Sequence, residues 1–144
     1  MNIIFLSIQS KKQEVEAFLN ELKDLLKKKE FNPDIDLVLI CKRKQGEDQQ
    51  YSTPYTLLTL DYDMEDVADR LGELTTEEYS ETKIDTDDIN PPLLFVFGKY
   101  INKRLVYVKL KIKGEEKKRI LCVSFHFAKE EMMFPYKSVG DSRR

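Results

Sequence analysis

The sequence predicts one α+β domain in which N-terminal helices pack against an antiparallel β-sheet. Two patterns support this fold class. Apolar residues recur every three to four positions in the first half of the chain, as in amphipathic helices, and alternate with polar residues in the last third, as in half-buried strands. A chain of 144 residues is long enough for one domain with its own core, in which residues 138–144 are expected to form a flexible tail.

The N-terminal half contains three predicted helices and one predicted strand. The first helix has an apolar stripe and ends in lysines, which oppose the negative end of the helix dipole. Asp63 is the expected N-cap of the third helix, because a carboxylate at that position accepts hydrogen bonds from unpaired backbone N–H groups. The helices are expected over 12–30, 54–60 and 64–74, and the strand over 35–42.

Three further strands are predicted after an acidic linker or loop at 81–92. The segments between them are short, around Asn102-Lys103 and from Gly114 to Lys117, so the strands should form an antiparallel meander. The strands are expected over 93–100, 104–112 and 119–127.

The only histidine of the chain, His126, lies in the last predicted strand. One face of each of the last two strands is apolar, and burying both faces in one core fixes the register, since a one-residue slip would expose one set. The apolar sets are Val106, Val108, Leu110 and Ile112 in one strand and Leu121, Val123, Phe125 and Phe127 in the other. The open face then carries Tyr107, Lys109, Lys111, Cys122, Ser124 and His126.

This open face is the predicted functional site. An imidazole titrates near neutrality, and a phenol and two lysines beside it can donate a proton and hold a phosphate. Lys99, at the end of the preceding strand, is a further cation that could reach the same face. A structural or incidental histidine is the plainer alternative.

Charge is distributed unevenly along the chain although the net charge is −2. Residues 59–90 carry two basic and twelve acidic side chains, whereas residues 91–144 carry thirteen basic and five acidic ones. The basic part could attract a polyanion and the acidic part a basic partner. Ordinary solvated faces would explain the same distribution.

Other classes of function have little support in the sequence. No glycine-rich nucleotide loop, zinc-protease motif or serine-hydrolase motif occurs, and no cofactor is expected. Asp85, Asp87 and Asp88 are interpreted as a solvated acidic loop rather than a metal site. Cys41 and Cys122 are expected to be buried free thiols. Because no signal peptide or membrane-spanning segment is recognised, we expect a cytoplasmic protein.

Several segments together resemble the MqsR-like family of toxins from bacterial type II toxin–antitoxin systems, which share the RelE-like fold. The similarity is most specific over residues 93–137 and extends upstream to about residue 12. The segments are Leu60-Asp61-Tyr62-Asp63, Leu74 to Tyr79, Phe97-Gly98-Lys99, Val106 to Ile112, Cys122 to His126 and Met133 to Lys137. Ser80 stands where the family has a lysine, and the family's central-strand glutamine has no clear counterpart.

The resemblance implies an endoribonuclease that cuts mRNA without a metal or cofactor and is bound by a cognate antitoxin protein. In this resemblance Tyr107 and His126 stand at matching family positions, and the other candidates come from the open face described above. The predicted catalytic residues are His126, Tyr107 and Lys109, and the predicted RNA contacts are Lys99, Lys111 and Ser124. The alternative is a catalytically silent RelE-like module that binds RNA or a protein through the same sheet face.

Overall fold

The computed structural model describes residues 7–41, 48–88 and 90–138. Within these residues the fold is mixed α+β, with four helices and one six-stranded sheet. The helices are α1 (Lys12–Lys27), α2 (Pro33–Asp36), α3 (Thr53–Leu60) and α4 (Met64–Gly72). The strands are β1 (Ser7–Ile8), β2 (Leu37–Leu39), β3 (Tyr79–Lys83), β4 (Leu94–Ile101), β5 (Arg104–Lys113) and β6 (Arg119–Phe127). The sheet order is β1-β3-β4-β5-β6-β2, and no helix in the described part is long and apolar enough to cross a membrane.

The three principal predicted helices are confirmed, with small shifts at their ends. α1 buries Val15, Leu19 and Leu22 against the sheet and α4, as its apolar stripe predicts. Asp63 is the N-cap of α4: its carboxylate accepts the Asp66 N–H at 2.9 Å, and the Asp66 carboxylate accepts the Asp63 N–H at 3.0 Å.

The antiparallel meander is also confirmed, because β4, β5 and β6 pair in sequence order. The edges of the sheet differ from prediction. β2 is parallel to β6, and it starts only at Leu37 because Pro33 favours the first turn of a helix, which then uses residues 33–36. β3 occupies part of the predicted linker and pairs with both β1 and β4.

A β-bulge at Val123 corrects the predicted faces of the last strand. Lys109 pairs with Ser124, but Leu110 pairs with Cys122, so Val123 is the extra residue. The bulge reverses the alternation on its N-terminal side, so Ile120 and Cys122 are buried in the core. The prediction that Leu121 and Val123 lie in the core and Cys122 on the open face was therefore wrong.

α3 covers the edge of β6 beyond the end of β2. The Thr53 hydroxyl accepts the Phe125 N–H at 3.3 Å, and the Thr56 hydroxyl accepts the Phe127 N–H at 2.9 Å. These edge N–H groups are thereby paired without another strand.

The two thiols differ. Cys122 is buried as predicted, and burial raises the pKa of its thiol to about 12, whereas Cys41 is exposed and was wrongly predicted to be buried. Lys42, the end of one predicted strand, and residues 139–144 of the predicted tail lie outside the described residues.

Candidate functional site

The centre of the predicted site is a stacked pair of side chains on the sheet face opposite the helices. Tyr107 in β5 pairs directly with His126 in β6, as the two apolar faces predict. Their ring centroids are 5.2 Å apart and their planes are 13° from parallel. The neighbouring Val106 and Phe127 are buried in the core, which leaves the stacked rings on the other face.

A backbone contact fixes the orientation of the imidazole. His126 Nδ1 lies 3.0 Å from the carbonyl oxygen of Phe127. Because a carbonyl oxygen can only accept a hydrogen bond, Nδ1 carries the proton in this contact. Nε2 is then the nitrogen with which a neutral His126 accepts a proton.

Tyr107 is a proton donor, in contrast to the acceptor nitrogen of His126. Burial, and secondarily the negative charge of Glu81, raise the pKa of its phenol to about 12. Tyr107 therefore keeps its proton at neutral pH and acts as a hydrogen-bond or proton donor.

Tyr107 and His126 line a cleft with a volume of about 440 Å³. Its walls come from β3 and from the chain that follows β6: the lining residues are Ser80, Glu81, Lys83, Tyr107, His126, Ala128, Lys129, Glu130, Glu131, Met132 and Met133. Two lysines and three glutamates occur among these lining residues, so the cleft itself has no excess of positive charge. Sequence reasoning missed the β3 wall, because that segment was expected to be a loop.

Gly98 lets the chain after β6 approach the sheet closely. A Cβ atom at this position would lie 2.8 Å from both Met132 Sδ and a ring carbon of Phe134. Farther along, the Tyr136 ring stacks on Tyr79 with centroids 5.8 Å apart, and the Tyr136 hydroxyl donates to the carbonyl oxygen of Ser10. These contacts hold one wall of the cleft in place.

The remaining predicted residues divide according to their surroundings. Lys109 is half-buried on the same face as Tyr107, and its Nζ lies 5.9 Å from the Tyr107 ring centroid. Ser124 pairs with Lys109 but is only 8% exposed, so its hydroxyl offers little surface to a ligand.

Lys111 is buried and ion-paired, so the prediction that it lies on an open, cationic face was wrong. Its side chain has no exposed surface, and its Nζ lies 3.1 Å from Asp85 Oδ2 and 3.3 Å from Asp88 Oδ2. Asp88 also contacts Lys113, and the hydrogen bonds from Lys113 and Lys111 lower the pKa of Asp88 to about 2. Asp85 and Asp88 are thus ion-paired against the sheet, not solvated as predicted.

Lys99 does not reach the stacked pair. It pairs with the buried Val106 and lies on the same face of β4 as the buried Phe97 and Ile101, which places it on the helical side of the sheet. Its Nζ lies 3.4 Å from Glu78 Oε2 and 3.6 Å from Glu73 Oε1. The prediction that Lys99 reaches the His126 face was therefore wrong.

The described residues include no group of three or more histidine, cysteine, aspartate or glutamate side chains that could hold a metal ion.

The comparisons with known proteins do not assign the chain to a family: no family model, curated protein or solved structure matches it.

Proposed function

We propose that this protein is a metal-independent endoribonuclease with a RelE-like fold, acting in the cytoplasm as the toxin of a type II toxin–antitoxin system. The observation that carries the proposal is the stacked pair of His126 and Tyr107 in an accessible cleft. The imidazole offers Nε2 as a proton acceptor and the phenol of Tyr107 keeps its proton, which is the combination that RNA transesterification requires. The sequence resemblance to MqsR-like toxins supports RNA as the substrate.

The geometry supports the following mechanism. Nε2 of His126 takes the proton of a ribose 2′-hydroxyl, and the resulting oxygen nucleophile attacks the adjacent phosphorus. The bond from phosphorus to the 5′-oxygen breaks, leaving a 2′,3′-cyclic phosphate on one fragment. The departing 5′-oxygen takes a proton from Tyr107 or, where Tyr107 only donates a hydrogen bond to the phosphate, from the imidazolium that His126 has become. Lys109 supplies positive charge beside the pair.

RNA cleavage by the purified protein tests this mechanism. Cleavage should persist in EDTA, yield a 2′,3′-cyclic or 3′-phosphate, and fail on RNA that carries a 2′-methoxy group at the cut. His126→Ala should reduce the rate by about 10²- to 10⁴-fold, the usual effect of removing a positioned base. Tyr107→Phe should also slow cleavage, whereas Tyr100→Phe, at an exposed tyrosine of β4, is the matched control and should not. A rate that His126→Ala leaves unchanged would refute the assignment.

A catalytically silent module that binds RNA or a protein is the second candidate. Two observations favour it: carboxylates already pair with Lys99 and Lys111, and glutamates outnumber lysines in the cleft lining. Expression in bacteria separates the two functions. Growth arrest that His126→Ala abolishes supports the nuclease, whereas binding that is insensitive to His126→Ala, without any cleavage, supports the module.

The proposed toxin would require a cognate antitoxin. Co-expression with a candidate antitoxin should restore growth and yield a complex that copurifies with the toxin. Restored growth without a physical complex would exclude direct neutralisation by that antitoxin.

A further inference from the structure

The contact between Lys111 and the chain segment 84–88 is unusual because it buries a lysine completely on the face proposed for RNA. Removing an ammonium group from water is costly, and here two carboxylates from that segment offset the cost by pairing with it. The segment is itself shaped for this contact: Asp85 Oδ1 accepts the Asp87 N–H at 3.0 Å, which leaves Oδ2 directed at Lys111.

Lys111 is part of a row that starts at the stacked pair. Alternate residues of a strand share one face and follow each other by about 7 Å, so Lys109, Lys111 and Lys113 lead away from Tyr107 in even steps. Lys111 is therefore about 14 Å along the strand from Tyr107. An RNA strand whose scissile phosphate lay at the stacked pair could run along this row and place further phosphates on it.

The carboxylates of Asp85 and Asp88 resemble a phosphodiester in the features that a lysine recognises. Each offers negatively charged oxygens at hydrogen-bonding distance, and Asp88 bridges Lys111 and Lys113 as one phosphate could. Because the Lys111 side chain has no exposed surface, a phosphate can reach its Nζ only when these carboxylates have moved away.

We propose that segment 84–88 occupies a phosphate subsite of the RNA path on Lys111 and Lys113, and that RNA must displace it to bind along β5. This inference rests on the proposed function, because it takes RNA as the ligand of this face. The exchange preserves the pairing of the buried lysine, since phosphate oxygens replace carboxylate oxygens. Only RNA long enough to extend about 14 Å beyond the scissile phosphate can make this exchange, so the segment also discriminates against very short substrates.

Affinity for an uncleavable RNA tests the exchange. The combined variant Asp85→Asn, Asp88→Asn should bind a 2′-methoxy oligonucleotide about 5- to 150-fold more tightly than the unmodified protein, the usual range of coupling between competing sites. A dinucleotide, which cannot reach Lys111, should gain much less. The matched control is Glu65→Gln, Asp69→Asn in α4, which changes the net charge equally at exposed positions away from the row. Equal gains in the two combined variants would overturn the inference in favour of a general charge effect.

A second measurement uses the unmodified chain, in case the amide variant does not fold. Backbone amides of residues 84–88 should exchange with deuterium faster when the 2′-methoxy oligonucleotide is bound, because the segment has left Lys111 and Lys113. Unchanged or slower exchange in the complex would refute displacement. Protein that binds RNA with this exchange but never cuts it would refute the nuclease alone, and protein that binds no RNA in either form would refute both proposals.

Discussion

At the scale of single residues, the site depends on how His126 is restrained. The Phe127 carbonyl holds Nδ1, and the Tyr107 ring lies against one face of the imidazole. Together these contacts restrict rotation of the ring and direct proton exchange to Nε2. A side chain restrained in this way loses little conformational entropy when a ligand binds, which favours the orientation that the proposed mechanism requires.

The phenol of Tyr107 provides a prediction at this scale. Glu81→Gln should lower the pKa of Tyr107, because one of the two causes of its elevation is removed, but the pKa should remain above 10 because burial is the larger cause. Site-resolved carbon NMR of the tyrosine ring during a pH titration measures it. Glu65→Gln is the control and should leave the Tyr107 titration unchanged. A rise in the pKa of Tyr107 in Glu81→Gln would contradict the assignment of Glu81 as the interacting charge.

The pairing of Tyr107 with His126 could be predicted from sequence, whereas the surroundings of Lys111 could not. The pairing follows from local alternation, since Val106, Val108 and Phe125 have only one way to share a core. The partners of Lys111 come from a loop more than twenty positions earlier in the chain, and no sequence period connects them. The burial of Lys111 depends on tertiary contacts with the loop that carries Asp85 and Asp88, and such contacts leave no periodic pattern in the sequence.

At the scale of elements, two departures from simple alternation determine the shape of the sheet. The bulge at Val123 was not predictable because Leu121, Cys122 and Val123 are all apolar, so either phase satisfies the hydrophobic pattern. β3 was not predictable because only Tyr79 and Thr82 of its five residues are buried, and its sequence has no apolar alternation. Sequence periodicity therefore located the central strands but not the wall of the cleft.

The capping of β6 by α3 provides a prediction at this scale. Thr56→Val should lower the free energy of unfolding by about 1–3 kcal/mol, because the buried N–H of Phe127 loses its acceptor while the side-chain volume is kept. Urea denaturation measures the change. Thr59→Val, in the same helix at an exposed position, should change the stability by less than about 0.5 kcal/mol. Equal stability of the two variants would show that α3 does not satisfy this strand edge.

At the scale of the whole molecule, part of the uneven charge distribution is used for ion pairs within the fold. The acidic middle part of the chain pairs with the basic C-terminal strands through the contacts of Lys99, Lys111 and Lys113. The predicted attraction of a polyanion to the basic third is consequently reduced by the protein's own carboxylates. Among the described residues, Lys83 and Lys129 line the cleft, and Lys109 lies beside the stacked pair.

This pairing makes stability depend on pH in the acid range. The pKa of Asp88 is lowered in the folded state from 3.8 to about 2, so its carboxylate contributes stability that is fully present above pH 4. That contribution is lost as the pH falls from about 4 toward 2, where Asp88 becomes protonated in the folded state too. The midpoint of urea denaturation should therefore fall over this window in the unmodified protein.

Two variants, Asp88→Asn and Asp69→Asn, isolate the contribution of Asp88 to the loss of stability between pH 4 and 2. In Asp88→Asn the decline between pH 4 and 2 should be shallower, whereas Asp69→Asn should retain the slope of the unmodified protein. Parallel declines in all three proteins would assign the acid sensitivity to other carboxylates.

The order of strands in the sheet has a consequence for how the chain folds. The two edge strands come early in the sequence but pair with much later partners: Ser7 pairs with Lys83, and Leu37 pairs with Ile120. β4, β5 and β6 instead pair with their immediate neighbours through short turns, so closing them costs little chain entropy. We therefore expect the central meander, with His126 and Tyr107 already opposed, to form before the edges are added. The stacked pair would then be assembled early, and the cleft around it would be completed only when β3 docks against β4.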